Sequence, residues 1–131
     1  MAEKIKILVI DDDEDYLLQQ KIWLESVGYE VITADGKSSA EKVLEKIKPD
    51  LVIVDLMMET KDSGFALCYY VKNIDNSIPI ILVSGVKGDT GLDFDASTEE
   101  ERSWIKADVF LDKPVRFEQL ESEIHRLLKD K

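Results

Sequence analysis

Apolar residues along the 131-residue chain fall into two alternating rhythms. Leu51-Val52-Ile53-Val54 and Ile80-Ile81-Leu82-Val83 are unbroken aliphatic runs, and Lys4–Ile10 (KIKILVI) closes on a third. Runs with no polar partner on either alternate face suit strands buried on both sides, the habit of a parallel sheet covered by helices. Tyr29–Ala34, which alternates Val31 and Thr33 with Glu30 and Ile32, predicts an outer strand, and Asp108–Asp112 a short fifth one. Between the strands the spacing turns helical. Tyr16–Val27 carries a broad apolar face including Leu17, Leu24 and Val27, flanked by Leu18 and Ile22, and stops at Gly28. Ala40, Val43, Leu44 and Ile47 recur behind a Ser38/Glu41 capping-box signature until Pro49. A polar loop, Glu59–Ser63, precedes a helical rhythm of Phe65, Leu67, Val71 and Ile74 after Gly64. Glu99–Lys106 predicts a short helical piece, capped from Ser97 or Thr98, and Phe117, Leu120, Ile124, Leu127 and Leu128 mark one side of a final amphipathic helix.

Five strand-helix units with short connections predict an α/β fold, a doubly wound five-stranded parallel sheet. The order 2-1-3-4-5 brings the carboxyl ends of the first and third strands together at a switch point, where open α/β sheets bind ligands. The length suits a single domain over residues 1–131.

Charge narrows the partners. With 17 Lys+Arg against 28 Asp+Glu the net charge is -11, which argues against nucleic-acid or anionic-membrane surfaces and favours proteins and divalent metals. The lone Cys68 excludes an internal disulfide and a cysteine-rich zinc site, in keeping with a reducing compartment. No leader-like segment and no apolar run near the roughly 20 residues of a membrane span is present, so the expected location is the cytoplasm.

Polar residues stand where the strands end: Asp11 and Asp12 after the first, Asp55 at the third, Ser84 at the fourth and Lys113 after the fifth. Three carboxylates crowded in one crevice either take up protons or hold a cation. Oxygen donors of this kind suit Mg²⁺, which keeps some of its waters and bridges carboxylate to phosphate. A hydroxyl and an ammonium opposite complete an oxyanion receptor, pointing to phosphoryl transfer onto a carboxylate.

These motifs, KILVIDDDE, LVIVDLM, ILVSG and FLDKPV in that order, resemble the receiver domain of two-component response regulators over roughly Lys4–Leu128. The resemblance implies the flavodoxin-like (βα)5 fold and a switch rather than an enzyme. Asp55 would accept a phosphoryl group from a phosphohistidine on a sensor histidine kinase or histidine phosphotransfer protein. Asp12 and Asp55 would bind Mg²⁺ directly with the backbone carbonyl of Met57, and Asp11 through water. Ser84 and Lys113 would grip the phosphoryl oxygens. Inward movement of Ser84 would let Phe110 follow, changing the affinity of the surface of helix 4, strand 5 and helix 5, in the family's order, for a downstream effector or for a second copy in a homodimer. Met57 would stand beside the phosphoryl group, where an apolar side chain cannot orient an attacking water, so slow autodephosphorylation is expected. Two stretches depart from the family's pattern: Met57–Gly64 lacks its proline and carries an extra residue, and Ser84–Lys113 is several residues longer.

Bland readings and rival functions stand beside this. Asp13, Glu14 and Asp15 read as a solvated helix start. Asp93–Ser97 fails as a calcium loop because Thr98 and Trp104 occupy the glycine and glutamate positions. His125 reads as solvent-facing, and Trp23, Trp104 and the tyrosines as core or rim. The Lys113-Pro114 step suggests a fixed turn, with a cis peptide as in the family. One rival is an aspartate-nucleophile phosphatase of the haloacid dehalogenase kind, with Asp11 as nucleophile and Asp13 as acid, which leaves Asp55 idle. The other is a module with the receiver fold that works without phosphorylation.

Overall fold

The computed structural model describes residues 4–55, 61–84, 108–112 and 115–128, with the side chains of 61–65, 84, 110 and 112 outside that description. Five parallel strands, β1 (Lys6–Ile10), β2 (Glu30–Ala34), β3 (Leu51–Asp55), β4 (Ile80–Ser84) and β5 (Val109–Asp112), form one sheet in the order β2-β1-β3-β4-β5. The order expected from the pattern is the order found. Helices α1 (Glu14–Ser26), α2 (Lys37–Lys46) and α3 (Lys61–Ile74) and a C-terminal helix (Phe117–Leu128) cover it.

Side chains on a strand alternate between faces, so each aliphatic run feeds two cores. Leu8, Ile10, Val52, Val54, Ile80 and Leu82 pack with Ala40, Leu44, Leu67, Cys68 and Val71 from α2 and α3. Ile7, Val9, Leu51, Ile53, Ile81, Val83, Val109 and Leu111 pack on the other face with Leu17 and Leu24 of α1 and Leu120 and Ile124 of the C-terminal helix. Trp23 and Phe117 close the rim between these two helices, ring centroids 5.1 Å apart and tilted by 54°.

Helix ends show where local chemistry overrides periodicity. Asp13 caps α1, its carboxylate accepting the backbone N–H of Asp15 and of Tyr16. At the other end the N–H of Gly28 donates to the carbonyl of Glu25 and that of Tyr29 to Leu24, a Schellman closure in which Gly28 takes φ +103°. Buried Leu24 and Tyr29 add the apolar contact that accompanies it.

Three expectations are corrected. The Ser38/Glu41 capping box does not form: α2 begins at Lys37 behind Gly36, which makes no side-chain cap, and Lys37 pairs with Glu41 instead at 3.1 Å. The Ser39 hydroxyl donates to Asp35 at 2.5 Å, drawing the helix start upstream of Ser38. Residues 61–63, read as loop, belong to α3: hydrophobic periodicity registers only apolar positions, so the polar run Lys61-Asp62-Ser63 carries no signal for it. On α1, Val27 is 42% exposed and Leu18 and Ile22 are each 58% exposed, whereas Gln20 is buried. Glu99–Lys106 and the Asp93–Ser97 loop lie outside the described residues.

Candidate functional site

Ile10 of β1 lies opposite Val54 of β3, so Asp11 and Asp55 come side by side at the carboxyl edge of the sheet. The N–H of Asp11 donates to the carbonyl of Ala34 at 3.1 Å, carrying the β1–β2 ladder one residue past the strand and holding Asp11 at the sheet's lip. Its Oδ1 accepts the N–H of Asp13 at 2.9 Å, linking the carboxylate to the cap of α1. Asp11 is fully buried and Asp55 is 4% exposed, while Asp12 faces solvent. One carboxylate oxygen from each of Asp11, Asp12 and Asp55 lies within 4.8 Å of the others.

Two buried carboxylates and a third beside them repel strongly where water is scarce, and a cation offsets that repulsion. The donor set suits a hard ion, being all oxygen, and the exposure of Asp12 leaves a side open to water. Magnesium, which keeps several waters and takes one or two carboxylates, fits this arrangement.

Backbone register places further residues along the same edge. Asp55 pairs with Val83, so Ser84 extends one residue past it on the neighbouring strand, and Ser84 itself pairs with Asp112 at the end of β5. Phe110 sits opposite Leu82. Met57, Lys113 and the Lys113-Pro114 step lie outside the described residues.

Other candidates resolve into structural roles. His125 is exposed on the C-terminal helix, its Nε2 3.9 Å from Glu121. Cys68 is buried, and burial pushes its thiol up to about 12, leaving it unreactive. Asp13, the acid of the phosphatase reading, caps α1, its Oδ1 accepting the N–H of Asp15 and of Tyr16.

Two features escaped the sequence. An open groove of about 450 Å³, lined by Leu18, Lys21, Thr33 and Asp35 among others, runs beside α1 and the end of β2. Away from the carboxyl edge, Lys72 of α3 binds Asp108 at the start of β5, a contact over 36 positions that no local pattern signals.

Residues 7–125 match the response regulator receiver domain family. The chain belongs to that family. The receiver is 34% identical over 127 residues to the probable transcriptional regulator ycf27 of Pyropia yezoensis, covering 97% of this chain and 49% of that one. It is 32% identical over 126 residues to the heme response regulator HssR of Staphylococcus aureus (strain MRSA252), covering 95% and 52%. A solved receiver domain from Clostridium thermocellum superposes with a TM-score of 0.79 at 30% identity, covering 96% of this chain and 95% of the other. The receiver thus spans about half the length of the curated relatives it matches. Phosphorylation on aspartate is the general property of the family, whose members act as phosphorylation-dependent switches. Among the described residues no helix is long and apolar enough to cross a membrane.

Proposed function

We propose that Asp55 is the phosphoacceptor of a Mg²⁺-dependent signalling switch. The observation that carries this reading is the convergence of the Asp11, Asp12 and Asp55 carboxylates within 4.8 Å at the carboxyl ends of β1 and β3. A carboxylate oxygen of Asp55 attacks the phosphorus of a phosphohistidine. The new O–P bond replaces the N–P bond, and the imidazole leaves with the electron pair and takes up a proton from solvent. Asp55 is fixed for this by its place in the β3–β4 ladder. When bound, Mg²⁺ neutralises negative charge on the carboxylates and on the group in transfer. Asp12 and Asp55 would hold it directly with the backbone carbonyl of Met57, and Asp11 through water. Ser84 and Lys113 would receive the phosphoryl oxygens, and Phe110 would follow Ser84 inward.

The donor is a sensor histidine kinase or a histidine phosphotransfer protein of the cytoplasm. The output is a changed affinity for an effector or for a second copy, on the surface that includes β5 and the C-terminal helix. Residues 1–131 act as one receiver unit. Borohydride reduction after treatment with acetyl phosphate and Mg²⁺ converts an aspartyl phosphate to homoserine, and peptide mapping should find it at position 55. Homoserine at another position, or none, overturns the assignment.

A further inference from the structure

β5 is short and, among the described residues, lies at the sheet's edge and pairs with β4 alone. It also follows β4 only after the whole stretch 85–108, so chain connectivity constrains its register weakly. Val109 and Leu111 are buried in the core between the sheet, α1 and the C-terminal helix. Slipping by one residue would turn both to the opposite face, so that core excludes odd slips. A slip of two keeps the faces and needs a different obstacle.

The obstacle is polar and stands at the start of the strand. Lys72 Nζ donates to Asp108 Oδ2 at 2.9 Å, to the carbonyl of Ile78 at 2.7 Å and to that of Asn76 at 3.3 Å, using all three of its protons. The same Asp108 oxygen accepts the N–H of Ile80 at 2.8 Å, and the Asp108 N–H donates to the Ile80 carbonyl at 2.9 Å. Lys72 is only 14% exposed, so a displaced Asp108 would leave its ammonium and the Ile80 amide short of partners away from bulk water.

We infer that the Lys72–Asp108 clasp sets the register of β5 on β4 and thereby the reach of that strand's carboxyl end toward Asp55. Lys72 and Asp108 are positioning residues for phosphoryl transfer, an assignment that rests on the function proposed above. A two-residue slip moves the strand end by about 6.6 Å, at a rise of about 3.3 Å per residue, far beyond hydrogen-bond tolerance.

The test compares wild type with Lys72→Met, Asp108→Ala, Asp108→Asn and Asp75→Asn, using acetyl phosphate as donor. Asp108→Ala and Lys72→Met should slow phosphorylation by about tenfold or more while Mg²⁺ affinity, which belongs to β1 and β3, stays unchanged. Asp108→Asn keeps an oxygen for the Ile80 amide and should lie closer to wild type than Asp108→Ala. Asp75→Asn removes a different ion pair, made by the residue just after α3, and should leave the rate unchanged. Cross-strand NOEs pairing Leu82 with Phe110 should persist in wild type and be lost in Asp108→Ala, or in Lys72→Met if the alanine variant does not fold. Retained NOEs, or lost NOEs with a wild-type rate, overturn the inference, as does an equal slowing in Asp75→Asn. A wild type that takes up no phosphoryl group instead refutes the proposed function, and the NOEs still decide whether the clasp sets the register.

Discussion

The backbone N–H of Asp13 donates to Oδ1 of Asp11 at 2.9 Å, while the carboxylate of Asp13 accepts the N–H of Asp15 at 3.0 Å and of Tyr16 at 3.3 Å. One residue thus joins the helix cap to the acidic site, through its backbone on one side and its side chain on the other. Substitution separates the two roles. Asp13→Ala should cost about 1 kcal/mol of stability through the lost cap. Because the Asp13 amide remains, Mg²⁺ affinity should stay near wild type, and urea unfolding with magnesium titration measures both.

Asp12 is the solvent-facing member of the crowded trio, and its charge opposes folding when no cation is present. Asp12→Asn should therefore raise the thermal midpoint in metal-free buffer. The same change should weaken Mg²⁺ binding by at least about tenfold, the loss seen even for outer partners of metal sites. Opposite signs with and without Mg²⁺ distinguish a metal site from an acidic patch.

Asp75 accepts from Lys48 and from the hydroxyl and backbone N–H of Ser77, and these contacts, the Lys48 bond foremost, hold its carboxyl below the usual carboxylate range. With the folded value depressed, the unfolded chain binds the proton more readily. The stabilisation is complete above the ordinary carboxylate range and is lost as pH falls through the lower folded value. Asp75→Asn should thus destabilise the receiver at neutral pH, with the difference from wild type closing only in strong acid. Denaturant midpoints across that pH range, repeated at high salt to weigh screening, test the sign.

The sheet was legible because each buried strand is a contiguous aliphatic run ending in a polar residue, and the switch point follows from strand order. Asp11, Asp12 and Asp55 were legible for the same reason: they end β1 and β3, which the fold makes neighbours. The outward placement of Leu18 and Ile22 was not, because apolar residues lie on both sides of α1 and only its packing chooses Leu17, Gln20 and Leu24 for burial. Nor was the start of α2, where Asp35 competes for Ser39 and no capping side chain is used. The Lys72–Asp108 contact depends on register between distant segments, which local pattern does not encode.

The measurement that tests the central claim most directly is intact mass after incubation with acetyl phosphate and Mg²⁺, on wild type and Asp55→Asn. A phosphoryl increment in wild type that is absent from Asp55→Asn is the predicted result. An equal increment in both, or none in wild type while Mg²⁺ binding is demonstrated separately, would contradict Asp55 as the acceptor.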